Sequence, residues 1–366
     1  MQNISAASNY ESLLAEKKER IQVQFSKFNP PKLDVFASDP QNFRLRAEFK
    51  IWHEDERCFH AMFERGSNNQ PIEITEFPIA SKAIVNLMPK LLEAINKSPL
   101  LKHRLFQIEY LDTLSGDMLV TLIYHRQLND EWVNEATLLR QKFGINIIGR
   151  AKKMRILLDR DHVIEQLEVD GKFIKYKQIE GGFTQPNGKM NQQMLSWARN
   201  CVSGSEHSDL LELYCGNGNF SIALADKFRR VFATEISKTS VKAANDNKEM
   251  NQLENINFAR VSAEEFTGHI KGEKKRRRLK DADLETANFQ TVLVDPPRSG
   301  LDEKSCEMIS AYNNIIYISC SPETLEENLK QLTQTHRIER FALFDQFPYT
   351  HHIECGVYLV KLSLLK

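Results

Sequence analysis

Long apolar runs are missing from this chain. No stretch approaches the roughly 20 consecutive apolar residues that span a bilayer, and the opening MQNISAASNYESLLAEKKER has no apolar core of the kind a secretory leader carries. No membrane partner is expected. Net charge is missing too: Lys plus Arg and Asp plus Glu each number 49. The field of the whole chain therefore draws in no polyanion, and any nucleic acid must meet a local patch. Cysteine is sparse and unpatterned. Cys58, Cys201, Cys215, Cys306, Cys320 and Cys355 form no CxxC pair, and there is no His-x-His cluster. That argues against a zinc or iron–sulfur centre and against a secreted disulfide framework, so no metal is expected and a reducing cytoplasm fits. Internal repeats and low-complexity segments are absent as well.

What is present is a globular composition, 41% hydrophobic and 27% charged. At 366 residues the chain exceeds what one core usually supports, which predicts two domains. Leu14, Ile21 and Phe25 recur at helical spacing, so residues 1–30 read as an N-terminal helix packed on the catalytic domain, broken by Asn29-Pro30-Pro31. Over 31–180, strands at FRLRAEFKIWH, LFQIEYLDT, MLVTLIYH, INIIGRAKKMRILLD and KFIKYKQIE are joined by two helices and an LSGD hairpin turn. This is an α+β block with an antiparallel sheet. From 181 to 366 strands alternate with helices, which predicts an α/β, doubly wound, Rossmann-like parallel sheet ending in an antiparallel hairpin at one edge. The basic run GEKKRRRLK (272–280) reads as a solvated loop inserted between two strands rather than an RNA clamp.

Two segments carry chemistry. In IIYISCSPETLEENL, Cys320 ends an apolar strand where Ser321 and Pro322 open a helix. The helix dipole there favours thiolate, although a small buried core cysteine is an equal alternative on this segment alone. In LELYCGNGNFS, Gly216 and Gly218 follow a buried strand and open a helix, allowing close backbone approach to a ligand. Ser221 replaces the third glycine of a dinucleotide fingerprint, and no phosphate-binding lysine follows. Glu235 ends the next strand, 19 residues after Gly216, where an acid can accept from ribose hydroxyls, and Asp295 ends the fourth. The combination points to S-adenosylmethionine over NAD or ATP.

Taken together, FTQPN (183–187), ELYCGNGNFS (212–221), ATEIS (233–237), VDPPRSGL (294–301), ISCSPET (318–324) and HHIECGVYL (351–359) resemble the RNA 5-methyluridine methyltransferases over almost the entire chain. The lack of an oligonucleotide-binding barrel and of four metal-binding cysteines favours the tRNA branch over the ribosomal one. Ser321 departs from the asparagine usual in that family. The resemblance implies an S-adenosylmethionine methyltransferase domain joined to an N-terminal RNA-binding domain, acting as a monomer on the T-arm of tRNA or another structured RNA with a T-like arm. It implies Cys320 as nucleophile and Glu354 as general base, although the strand alternation around Glu354 alone reads as an ordinary exposed carboxylate. Gln185, Tyr214, Asn219, Glu235 and Asp295 would contact the cofactor beside Gly216 and Gly218. Arg44, Arg46, Lys50, Phe106, His125 and Arg298 are candidate RNA contacts, with a core role for Phe106 and a structural one for His125 left open. Arg298, where amino-group methyltransferases place an aromatic residue, counts against nitrogen methylation. Readings of the chain as a ribosomal RNA 5-methyluridine or 5-methylcytidine enzyme, or as an RNA-folding chaperone without catalysis, stay as alternatives.

Overall fold

The computed structural model describes residues 9–64, 66, 70–273, 277–279 and 284–364. The chain opens with helix α1 (Tyr10–Phe25), whose buried face is Tyr10, Lys17, Ile21 and Phe25, and with strand β1 (Leu33–Phe36). Strands β2 (Arg46–Glu54), β3 (Arg57–Phe63) and β4 (Pro71–Glu73) follow, then helices α2 (Lys82–Lys97) and α3 (Pro99–Lys102). Next come β5 (Leu105–Leu111), β6 (Leu119–Tyr124), α4 (Asp130–Phe143), β7 (Asn146–Ala151) and β8 (Met154–Leu157). Strands β9 (His162–Val169) and β10 (Lys172–Ile179) form a separate hairpin.

Two compact units result. The first comprises residues 39–166 and 177–188, the second residues 9–38, 167–176 and 189–364. The first holds a seven-stranded sheet in the order β4-β3-β2-β5-β6-β7-β8. It is antiparallel as expected except for β6 and β7, which run parallel because α4 crosses between them. The stretch 145–159, read as one strand, is two: β7 and β8 pair antiparallel around Lys153, whose φ of +60° makes the turn. Ser81 starts α2 by accepting from the Ile84 amide, and its buried face of Ile84, Leu87, Leu91 and Ile95 covers the sheet core.

In the second unit α5 (Gly188–Cys201) precedes β11 (Asp209–Leu213), α6 (Asn219–Leu224), β12 (Arg230–Thr234), α7 (Lys238–Met250) and β13 (Ile256–Ala259). Then come α8 (Ala263–Ile270), β14 (Phe289–Val294), α9 (Glu303–Ile309), β15 (Asn314–Ser319), α10 (Pro322–Leu332), β16 (His336–Phe344) and β17 (Glu354–Lys361). The eight-stranded sheet runs β1-β16-β17-β15-β14-β11-β12-β13. Leu211, Val292, Ile315 and Tyr317 pack on one face and Leu210, Leu293, Ile316 and Ile318 on the other. Burial on both faces is why these strands read as nearly continuous apolar runs.

The expected terminal hairpin is not at the edge. β17 inserts antiparallel between β15 and β16, and β1 forms the edge by pairing parallel with β16, Leu33 opposite Phe341 and Phe36 opposite Phe344. Residues 31–38, read with the first block, accordingly cluster with the second unit, whereas 181–188 cluster with the first. Of the basic run, residues 274–276 and 280 lie outside the described residues, and Arg277–Leu279 form one turn between β13 and β14. Chain order reverses between β14 and β11, the switch point at whose carboxyl ends ligands bind in such sheets.

Candidate active site

After β11 the chain turns through 214–218 into α6. Tyr214, Gly216 and Gly218 all lie in the left-handed region, with φ of +62°, +57° and +82°. Glycine adopts this freely, whereas a tyrosine held there stores strain of the kind that collects at functional sites. A Cβ on Gly218 would fall 2.9 Å from the Phe258 ring, while one on Gly216 would meet nothing within 4 Å. The turn therefore packs closely on Phe258 at Gly218 and leaves room for a ligand at Gly216. Glu235 ties the turn down: its carboxylate accepts from the Gly216 amide at 3.1 Å and the Ser237 amide at 2.7 Å. Asn219 exchanges amide hydrogen bonds with Asn191 at 2.8 and 2.9 Å.

Ser221 stands where a third glycine would because its hydroxyl donates to the carboxylate of Glu212, inside β11. Glu212 had no role in the sequence reading. Its burial, reinforced by the nearby charges of Asp295 and Glu235, pushes its carboxyl up to about 8. An acid in the middle of the otherwise apolar LLELY strand was the signal that could have found it.

The turn between β15 and α10 presents Cys320. Ser321 caps α10 by accepting from the Thr324 amide at 3.5 Å, and Pro322 occupies the first helical position. Ser319 Oγ accepts from the Ser321 amide at 3.2 Å and donates to its carbonyl at 3.0 Å, and Thr324 Oγ1 donates to the same carbonyl at 3.1 Å. These bonds bracket the one residue between them. Asn328 of α10 joins this helix to the loop after β14. Its Oδ1 accepts from the Leu301 amide at 3.0 Å and the Tyr317 hydroxyl at 2.7 Å, and its Nδ2 donates to Leu301 O at 3.0 Å. Cys320 is half-buried while the other five cysteines are buried, so it is not a core residue.

Register brings the reactive candidates together. β14 pairs with β15 up to Val294 opposite Tyr317, and β15 with β17 up to Ser319 opposite Cys355. Asp295, Cys320 and Glu354 thus stand at the ends of three adjacent strands. Glu354 is 4% exposed, not the exposed carboxylate its alternation suggested, because β17 lies inside the sheet and is covered on both faces. Burial, then the Asp295 charge, holds the Glu354 carboxyl well above the ordinary range, and burial raises Asp295 in the same direction. The thiol departs from expectation as well. Burial, with the Glu354 and Asp295 carboxylates adding to it, pushes Cys320 up to about 11, overriding the helix dipole. The exposed Arg298 acts in the opposite sense.

Gln185, Arg44, Arg46, Lys50, Phe106 and His125 belong to the first unit. The segment carrying Gln185 is held there by the Leu45 amide on Pro186 O at 2.7 Å and by Arg46 on Gly182 O at 2.9 Å. Arg44 is half-buried and donates to Arg46 O at 2.7 Å. Phe106 sits at a register shift between β5 and β6, a bulge that re-aims the side chain. Its ring stacks on exposed His125, centroids 4.0 Å apart and planes 22° apart, and Lys50 Nζ lies 4.0 Å from the same ring. Phe106 is therefore not core, and His125 presents an open face.

A profile of the tRNA (Uracil-5-)-methyltransferase family matches residues 9–362. The tRNA/tmRNA (uracil-C(5))-methyltransferase of Acinetobacter baylyi is 52% identical over 358 residues, 96% of this chain and 99% of its own. That of Vibrio vulnificus is 51% identical over 359 residues, 96% of this chain and 97% of its own. A solved structure, Pyrococcus abyssi tRNA (uracil-54, C5)-methyltransferase in complex with S-adenosyl-L-homocysteine, shares the fold with a TM-score of 0.72 at 20% identity, over 96% of this chain and 84% of that one. With Asp295, Cys320 and Glu354 at the ends of three adjacent strands, the chain belongs to the tRNA (uracil-5-)-methyltransferase family.

Proposed function

We propose that this chain methylates carbon 5 of the T-loop uridine of tRNA by way of a covalent Cys320 adduct, giving ribothymidine. The observation that carries the reading is the convergence of Cys320, Glu354 and Asp295 at neighbouring strand ends beside the glycine turn. The donor set fits S-adenosylmethionine: Gly216 opens onto free space and Glu235 is already oriented by two amides. Tyr214, Gly216, Gly218, Asn219, Glu235 and Asp295 would hold it, and Gln185 is assigned to it by the motif alone. When bound, it supplies an electrophilic methyl group to carbon 5.

Carbon 5 of uracil is a weak nucleophile. Addition of the Cys320 sulfur at carbon 6 moves the ring electrons onto the carbonyl, and the enolate so formed reacts at carbon 5. Arg298 favours the thiolate that this attack requires. Glu354 then removes the carbon 5 proton, and the electrons of that bond expel the sulfur and restore the ring. Burial suits Glu354 to this step, because a carboxylate of raised proton affinity is the stronger base.

The first unit is the RNA reader in this account. The uridine must leave its stack to meet the thiol. The Phe106–His125 pair offers a flat surface of the kind on which bases stack, and Lys50, Arg44 and Arg46 supply cations for phosphate. Arg298 would contact phosphate or base. The named relatives act on tRNA and tmRNA, which supports extending the substrate to RNAs with a T-like arm.

Incubation with labelled S-adenosylmethionine and unmodified tRNA, followed by nucleoside mapping, tests the reading. Label is expected in 5-methyluridine of the T-loop; label on a base nitrogen or in cytidine contradicts it. Cys320→Ala should lower turnover on the order of a thousandfold or more while tRNA binding persists.

A further inference from the structure

Helix α1 has no part in the chemistry above, yet it buries a lysine. Lys17 is 6% exposed, and its Nζ donates to Asp345 Oδ1 at 2.6 Å and to Phe347 O at 2.9 Å. Asp345, 1% exposed, begins the loop 345–353 that runs directly into Glu354. Further along α1, Arg20 donates to His351 O at 3.1 Å, and the Tyr10 ring lies 5.9 Å from that of Tyr349. Tyr349 itself is held at φ +63°, a conformation that a tyrosine keeps only when its surroundings impose it. The loop is thus gripped at its start, middle and end by one helix.

The same helix reaches the other catalytic element. Gln24 of α1 donates at 2.8 Å to Glu326 of α10, the helix that follows Cys320, and Lys27, in the turn just after α1, pairs with the same carboxylate. Ile21 and Phe25 share a core with Phe341, Ile353, Cys355, Leu325 and Leu329. A buried ion pair is a costly way to gain stability, since apolar residues of similar volume do as well or better. Its position between a helix and a catalytic loop points instead to a geometric demand.

We propose that α1 is a brace for the two strand ends that carry Cys320 and Glu354, and that Lys17 is a positioning residue that acts through the 345–353 loop on Glu354. The proposal rests on the assignment of Glu354 as general base. Loss of the Lys17 contact frees the loop, Glu354 drifts from carbon 5, and proton removal becomes slow while sulfur addition and methylation continue.

The test uses the full-length enzyme with unmodified tRNA and compares Lys17→Met, Arg20→Ala and Glu354→Gln. In Lys17→Met, amide hydrogen exchange should rise in peptides covering 345–353 and kcat should fall on the order of a hundredfold, the scale set by small misplacements of a catalytic group. KM for S-adenosylmethionine should fall along with kcat, because the slowed step follows methyl transfer, and a denaturant-resistant enzyme–RNA band should accumulate, as in Glu354→Gln. Arg20→Ala, an exposed site, should show the same pattern more weakly; it decides the matter if Lys17→Met does not fold. A merely structural lysine lowers the folded fraction, scales every step alike and leaves no band. Lowered turnover without extra exchange in 345–353 overturns the brace, as does wild-type turnover in both variants. If Glu354→Gln itself forms no band, the base assignment fails, and the exchange data with the paired fall of kcat and KM decide the brace alone.

Discussion

Cys320 carries two opposed influences at the scale of single atoms. Burial and two carboxylates raise its thiol to about 11, and Arg298 lowers it. The reactive form is the thiolate, so kcat/KM, which reports the free enzyme, should rise about tenfold per pH unit from neutrality towards that value. Arg298→Ala removes the stabilising cation, so the rising limb should move to higher pH. A profile flat above neutrality, or a limb unmoved by Arg298→Ala, contradicts the account. These shifts were not legible in the sequence, because a helix start announces its dipole but not the carboxylates that the sheet register places beside it. Glu354 shows the same gap: alternation along IECGVYLV reads as one buried face, and only the insertion of β17 between two strands covers the other.

At the scale of elements, local signals were strong. The Ser321 cap and the apolar strands of the second unit lie where their residues predict them. What failed was non-local. β1 is four residues between proline-rich segments, and its partner β16 lies some 300 positions away. β3, β4 and β9 went unread, although β3 buries four consecutive residues, 58–61, and β9 alternates buried with more open positions. Two substitutions test the turns that matter. Ser321→Asn should keep both cap and activity, while Ser321→Ala should cost about 1 kcal/mol of stability. Gly218→Ala should do worse, because φ is +82° and the Phe258 ring stands 2.9 Å from the added carbon; S-adenosylmethionine affinity measured by calorimetry should fall with stability. Unchanged affinity in Gly218→Ala would remove the turn from the cofactor site.

For the molecule as a whole, zero net charge leaves RNA recognition to local patches, and the proposed patch in the first unit is the Lys50–Phe106–His125 stack. The proposed division of labour between a reading unit and a reacting unit rests on a change from mixed strands and helices to regular alternation near residue 180. The crossing of residues 31–38 into the second sheet was not legible, since nothing local distinguishes an edge strand of one sheet from that of another. The claim on which the account depends is a reversible bond between one sulfur and a pyrimidine. Mass mapping of Glu354→Gln after reaction with unmodified tRNA and S-adenosylmethionine tests it most directly. The account predicts a methylated uridine linked to the peptide that contains Cys320; free 5-methyluridine at the wild-type rate with no linked peptide, or linkage to any other cysteine, contradicts it.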